Sequence, residues 1–176
     1  MVYTTQYASP IGDLLLAEKE ESLIGLWLIG QKYFLGSLKE EQTERDDAAA
    51  IFKQTKKWLD RYFAGQKPAI GELRLAPDGS EFRRAVWKIL CEIPYGEVMT
   101  YGEIAKKIGG EKMSAQAVGG AVAHNPISII IPCHRVVGTN GSLTGYAGGM
   151  DKKIKLLTLE GADMTGLYVP KKGTAL

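Results

Sequence analysis

The chain has 176 residues, enough for one medium domain or two small ones sharing an interface, and its formal net charge is +2. No stretch reaches the ~20 apolar residues of a membrane span, and Met1-Val2-Tyr3-Thr4-Thr5 lacks the basic and apolar regions of a secretion signal, so a soluble, cytoplasmic protein is expected. Two cysteines and two histidines, none at metal-ligand spacing, argue against a structural zinc site and for a reducing compartment, while the mild charge is compatible with a polyanion gripped locally.

From Val2 to Leu28, β-rich runs alternate with turns at Ser9-Pro10-Ile11-Gly12 and Glu18 to Ser22, which predicts a small antiparallel sheet. Asp46 to Phe63 reads as a helix with Asp46 or Asp47 as N-cap, Ile51, Thr55, Trp58 and Tyr62 along one stripe, and Gly65 as its stop. Pro68, Gly71, Pro77 and Gly79 then mark a boundary, dividing the chain into residues 1–76, 77–165 and a tail, 166–176, mobile at its end.

The second part opens with a helix from Glu81 to Ile93 whose Phe82, Val86, Ile89, Leu90 and Ile93 face one way. Cys91 reads as packing, and Arg83, Arg84 and Lys88 as a solvated face. Thr100-Tyr101-Gly102-Glu103 is a capping box opening a short helix to Ile108, and Gly109-Gly110 breaks it. Ser114 caps a further helix, Ala115 to Ala123, that stops at Asn125-Pro126. Two short helices joined by a glycine-bearing turn fit either a helical hairpin or a helix-turn-helix that binds DNA.

Ile129-Ile130-Ile131 reads as a buried strand or buried segment, and Pro132 turns the chain out of it to present Cys133-His134. The pair fits a nucleophile with a neighbouring base, and equally a cysteine that fills space. Asp151 to Leu159 is a last helix, anchored by Ile154 and Leu157 and stopped by Gly161. His124 reads as a turn histidine.

Five segments stand together in order and spacing: Ala117-Val118-Gly119-Gly120-Ala121, Asn125-Pro126, Pro132-Cys133-His134-Arg135-Val136, Tyr146-Ala147-Gly148-Gly149 and Leu159-Glu160-Gly161. In them the chain resembles the O6-alkylguanine-DNA alkyltransferases, also called methylated-DNA-protein-cysteine methyltransferases. The resemblance spans Glu81 to Gly161 and, more loosely, the first half through Ser9-Pro10-Ile11-Gly12. It implies an α/β N-terminal domain, a small antiparallel sheet plus helix, followed by a mainly helical C-terminal domain with a winged-helix-like helix-turn-helix.

The implied activity is irreversible, stoichiometric transfer of the alkyl group from O6-alkylguanine in duplex DNA to Cys133, with O4-alkylthymine a further candidate. The implied route is minor-groove binding and base flipping by a monomer without metal or other cofactor. A stacked base hides its O6 substituent, and a damaged base is cheaper to extrude. By the same resemblance His134 is the base, acting through a water, Glu160 orients the imidazole, and Asn125 holds the turn. Tyr101 contacts the base and crowds its phosphate, while the Val136 carbonyl and the Ala147 amide bond the base. Ala121, Val122 and Tyr146 are carried over as substrate or DNA contacts.

Two positions depart from the pattern. Gln116 stands where the family commonly has an arginine that fills the gap left in the base stack, which predicts weaker or slower extrusion. Ser128 stands where some relatives have a proline that packs against bulky benzyl adducts. From other classes, a multiple-turnover cysteine hydrolase and a helix-turn-helix regulator with a structural Cys133 are the alternatives.

Overall fold

Apolar residues at alternate positions of Leu14 to Leu28 drive the first hairpins together in the computed structural model, which describes residues 1–38 and 41–170. Strands β1 (Val2–Ser9), β2 (Gly12–Lys19) and β3 (Ser22–Leu28) pair antiparallel through the two expected turns. A short strand absent from the sequence reading, β4 (Thr43–Arg45), adds parallel to β1, so the sheet is mixed, in the order β3-β2-β1-β4. All three β4 residues are exposed, and without a buried face they leave no alternating pattern to read.

Helix α1 (Ala50–Phe63) packs its predicted stripe, Ile51, Thr55, Trp58 and Tyr62, into the core. It starts later than expected. Ala49 is the N-cap without a side-chain bond, Asp46 instead accepts from the Ala48 amide, and Asp47 accepts from Thr5 and Arg45. Gly65, at φ +83°, supports the predicted stop.

Helix α2 (Glu81–Leu90), capped by Ser80, ends three residues before the predicted Ile93, although Ile93 remains buried. Strand β5 (Met99–Thr100) leads into α3 (Tyr101–Gly109), where the predicted capping box forms between Thr100 and Glu103. A 3-10 turn over Gly110–Lys112 connects to α4 (Ala115–Ala123), whose bounds and Ser114 cap are those expected. Strand β6 (Val136–Val137) pairs with β5, and α5 (Met150–Leu159) ends at Glu160, with Gly161 at φ +69°. Helices α2, α3 and α4 contact one another, so the α3–α4 pair is a helix-turn-helix supported by a third helix.

The isoleucine run is buried but is not a strand. Only Ile127 forms a bridge, parallel to Leu26, with the Leu26 amide donating to Pro126 O and the Ser128 amide to Leu26 O. The turn that follows puts Ile129 at φ +71°, a strained conformation for a β-branched residue. Edge strand β3 thus holds the segment that precedes Cys133, and one hydrophobic core runs from Leu14 through Trp87 to Leu156 across both halves. At the far end the Leu143 amide donates to Tyr168 O and the Tyr168 amide to Gly141 O, so the segment assigned to a tail is pinned there. The tail's expected mobile end, 171–176, lies outside the described residues.

Candidate active site

Asn125 shapes the turn that carries the thiol. Its Oδ1 accepts from the Ile127 amide at 3.0 Å, and its Nδ2 donates to Ile131 O at 2.9 Å and Ile127 O at 3.3 Å. Pro132 then starts a 3-10 turn, Cys133–Arg135. The expected turn is there, but the chain does not leave the core in making it: Cys133 is only 8% exposed. Burial pushes its thiol pKa up, while the Asn125 amide, the positive charge of Lys153 and the local backbone amides pull it down.

His134 is fully buried, and its Nε2 lies 2.7 Å from Glu160 Oε2. An ionised carboxylate only accepts, so Nε2 carries the proton and, in the neutral ring, Nδ1 keeps its lone pair. Nδ1 is buried with no hydrogen-bond partner among the described residues. Burial lowers the imidazole pKa, and Glu160 works against that shift.

Glu160 is saturated with donors. Arg135 grips it with Nε on Oε1 at 2.8 Å and Nη2 on Oε2 at 3.0 Å, and the Gly96 amide donates to Oε1 at 3.2 Å. The Tyr62 hydroxyl, from α1, donates to Oε2 at 2.6 Å. Burial alone would raise this carboxyl, but the bonds and charges of His134 and Arg135 outweigh it and hold the group well below the usual carboxylate range. Gly96 has φ +81°, and a Cβ there would meet the Glu160 carbonyl oxygen at 2.9 Å, so only glycine lets the loop approach this closely.

Across from this network, Tyr101 is buried and its hydroxyl donates to Thr144 O at 3.2 Å. Lys153 is completely buried, with Nζ donating to Val136 O and, at 2.8 Å, to Thr144 O, and burial lowers its pKa to about 8. It ties the Val136 carbonyl to the loop that carries Tyr146 and Ala147. The Tyr146 ring meets His134 edge to face, and the Lys32 amide donates to Ala147 O at 3.1 Å.

The structure therefore brings Cys133, His134, Glu160, Asn125, Tyr101, Val136 and Tyr146 together, while Ala147 stands on the adjoining loop, against Lys32. Gln116 is exposed on the first turn of α4. Ala121 and Val122 are both buried at 2% exposure, and Ala121 O accepts from Trp87 Nε1, so they pack α4 against α2.

Arg135 and Lys153 join the site without an expected role, and Tyr62 was expected only as part of the apolar stripe of α1. Arg135 lay inside the quoted five-residue motif, which is a signal. Lys153 stood on the apolar side of its helix, three residues before Leu156, a weaker one.

Residues 1–77 match the ribonuclease-like domain of 6-O-methylguanine DNA methyltransferase, and residues 81–162 match the DNA binding domain of the same enzyme. The chain belongs to the 6-O-methylguanine DNA methyltransferase family. It is 47% identical over 162 residues to the methylated-DNA--protein-cysteine methyltransferase of Methanosarcina acetivorans, covering 92% of this chain and 99% of the relative. It is 40% identical to that of Haemophilus influenzae over 90% of this chain and 86% of the relative. The crystal structure of Mycobacterium tuberculosis OGT in complex with DNA superimposes with a TM-score of 0.81 at 42% identity, over 90% of this chain and 92% of the other. Among the described residues, no helix is long and apolar enough to cross a membrane.

Proposed function

We propose that this methyltransferase repairs duplex DNA by moving the alkyl group of O6-alkylguanine irreversibly onto Cys133, in the cytoplasm, as a monomer that acts once. The observation that carries the reading is the buried His134–Glu160 pair, which fixes the imidazole with its basic nitrogen unpartnered among the described residues, one residue from a buried thiol. A base–thiol unit with a carboxylate behind it is the arrangement that activates a nucleophile.

DNA binding falls to the helix-turn-helix. The first turn of α4 exposes Ala115, Gln116 and Ala117, which are small enough for a shallow minor-groove approach, and Lys106, Lys107 and Lys112 are exposed beside it to meet phosphates. Gln116 enters the stack as the damaged guanine rotates out, and Tyr101 crowds the phosphate that must turn. The extruded base then enters the pocket between Tyr101, the Val136 carbonyl and the Ala147 amide.

Within the pocket the thiol proton passes to His134 Nδ1 through a water, and Glu160 stabilises the imidazolium. The thiolate attacks the alkyl carbon. A sulfur–carbon bond forms as the carbon–O6 bond breaks, its electron pair stays on guanine, and guanine takes up a proton. A thioether resists thiol exchange, so the protein is consumed. O4-alkylthymine presents a similar electrophile, and its repair belongs to the same proposal.

Titrating a fixed amount of protein with excess duplex bearing one O6-methylguanine tests the reading. Loss of the lesion stops at one equivalent per chain. Continued turnover would instead indicate a hydrolase, and sequence-preferring binding without lesion loss would indicate a regulator.

A further inference from the structure

The hydrogen bond between Tyr62 and Glu160 joins residues 98 positions apart, one in each matched domain, and both side chains are buried. We propose that Tyr62 is a positioning residue of the alkyl-transfer site, through which the N-terminal domain sets the orientation and basicity of the Glu160 carboxylate. The inference rests on the function proposed above and adds a part to its machinery.

Glu160 Oε2 is shared by three donors: the Tyr62 hydroxyl, His134 Nε2 and Arg135 Nη2. The two shortest contacts, at 2.6 and 2.7 Å, are those of Tyr62 and His134, so the hydroxyl and the imidazole compete for the same oxygen. A donor on a carboxylate oxygen drains its negative charge, and each such bond weakens the pull on the others. Tyr62 thus limits how strongly Glu160 holds the imidazolium, while fixing the carboxylate plane for the imidazole.

The Tyr62 side chain is itself well held. Its ring stacks on Trp58 and meets Phe63 and Tyr95 edge-on, so the hydroxyl is aimed by α1 and the packing around it. Burial and the neighbouring carboxylate push the phenol pKa far up, and the hydroxyl remains a donor throughout the working range. Other backbone bonds from the N-terminal domain, Leu26 to Pro126 and Lys32 to Ala147, support the turn and the loop but do not reach the reacting groups. Tyr62 alone among these contacts touches the network behind the base.

The test compares Tyr62→Phe with the wild type in single-turnover transfer from an O6-methylguanine duplex between pH 5 and 9. Tyr7→Phe serves as control, because it removes another N-terminal tyrosine hydroxyl, one bonded to Asp60 away from the site. The groups facing the Glu160–His134 pair are Cys133, Arg135, Lys153, Tyr95, Tyr146 and the Gly96 amide, and all stay in place in the variant.

Tyr62→Phe lowers the rate about tenfold, because the carboxylate plane is no longer fixed for the imidazole, and moves the acid limb of the profile to higher pH, because a carboxylate relieved of one donor stabilises the imidazolium more strongly. With only two histidines in the chain, a 15N titration reads the same upward shift directly at His134, with His124 as internal reference. Tyr7→Phe matches the wild type. A slower Tyr62→Phe whose acid limb and His134 titration are unmoved would reduce Tyr62 to a packing role and overturn the inference, as would an unchanged rate. Absence of transfer by the wild type would overturn the functional reading itself, a separate and distinguishable result.

Discussion

Arg135 and Glu160 form a buried bidentate pair, with Nε and Nη2 of the guanidinium 2.8 and 3.0 Å from the two carboxylate oxygens. The third nitrogen, Nη1, donates to Ile93 O at 2.7 Å, and the guanidinium lies over the Tyr95 ring. The residue next to the proposed base therefore locks the carboxylate that orients that base. Glu160→Gln breaks the pair and leaves a buried guanidinium without its counter-charge, which costs about 3–5 kcal/mol. Urea denaturation is expected to show that loss, and the transfer rate is expected to fall by roughly two orders of magnitude as the imidazole loses its support.

Acid destabilises the protein in two stages. The folded-state pKa of His134 lies below its ordinary value of about 6.5, so the unfolded chain takes up that proton first and stability falls from about pH 6.5 downward. Glu160 is depressed as well; its contribution is complete above about pH 4.3 and is lost as pH falls below that value. Urea midpoints at pH 7, 5.5 and 3.5 check both stages, and His134→Gln abolishes the first.

Lys153→Met is expected to cost about 2–4 kcal/mol, because the Val136 and Thr144 carbonyls lose their buried donor. Transfer slows with it, since the Val136 carbonyl is then free to turn from the pocket and the thiol loses a nearby positive charge. Parallel denaturation and single-turnover measurements separate the two effects, and normal transfer by a destabilised Lys153→Met would refute the second.

Gln116 sits exposed at the start of α4, where a longer side chain meets no steric obstacle within the protein. Gln116→Arg adds reach and charge, and transfer on duplex DNA is expected to rise several-fold while transfer on a single-stranded oligonucleotide stays the same. The logarithmic salt dependence of duplex binding steepens by up to about one unit if the new charge meets a phosphate. An equal or lower duplex rate would count against a role for Gln116 in extrusion.

Local chemistry made much of this architecture legible. Ser114, the Thr100–Glu103 box and Asn125-Pro126 set the α3 and α4 termini through bonds spanning only a few residues, and the observed caps follow them. Cys133, His134 and Glu160 were readable through the family resemblance, whose motifs place them on two short segments of the second half. Contacts made by folding were not readable. Tyr62 looked like one more member of an apolar stripe, and its role depends on a carboxylate 98 residues away. Lys153 gave little sign of its role because its partners are backbone carbonyls, which carry no side-chain signature. The isoleucine run left strand and buried segment both open because burial and hydrophobicity are alike in a strand and in a turn held by Asn125, and it proves to be the buried segment.

The most direct test of the central claim is the mass of the peptide containing Cys133 after the protein has met one equivalent of O6-methylguanine duplex, with Cys133→Ala alongside. Transfer to this thiol predicts a gain of one methyl group on that peptide, matched by an equal loss of lesion and absent from Cys133→Ala. Lesion loss with Cys133 unmodified, or undiminished in Cys133→Ala, would contradict the account.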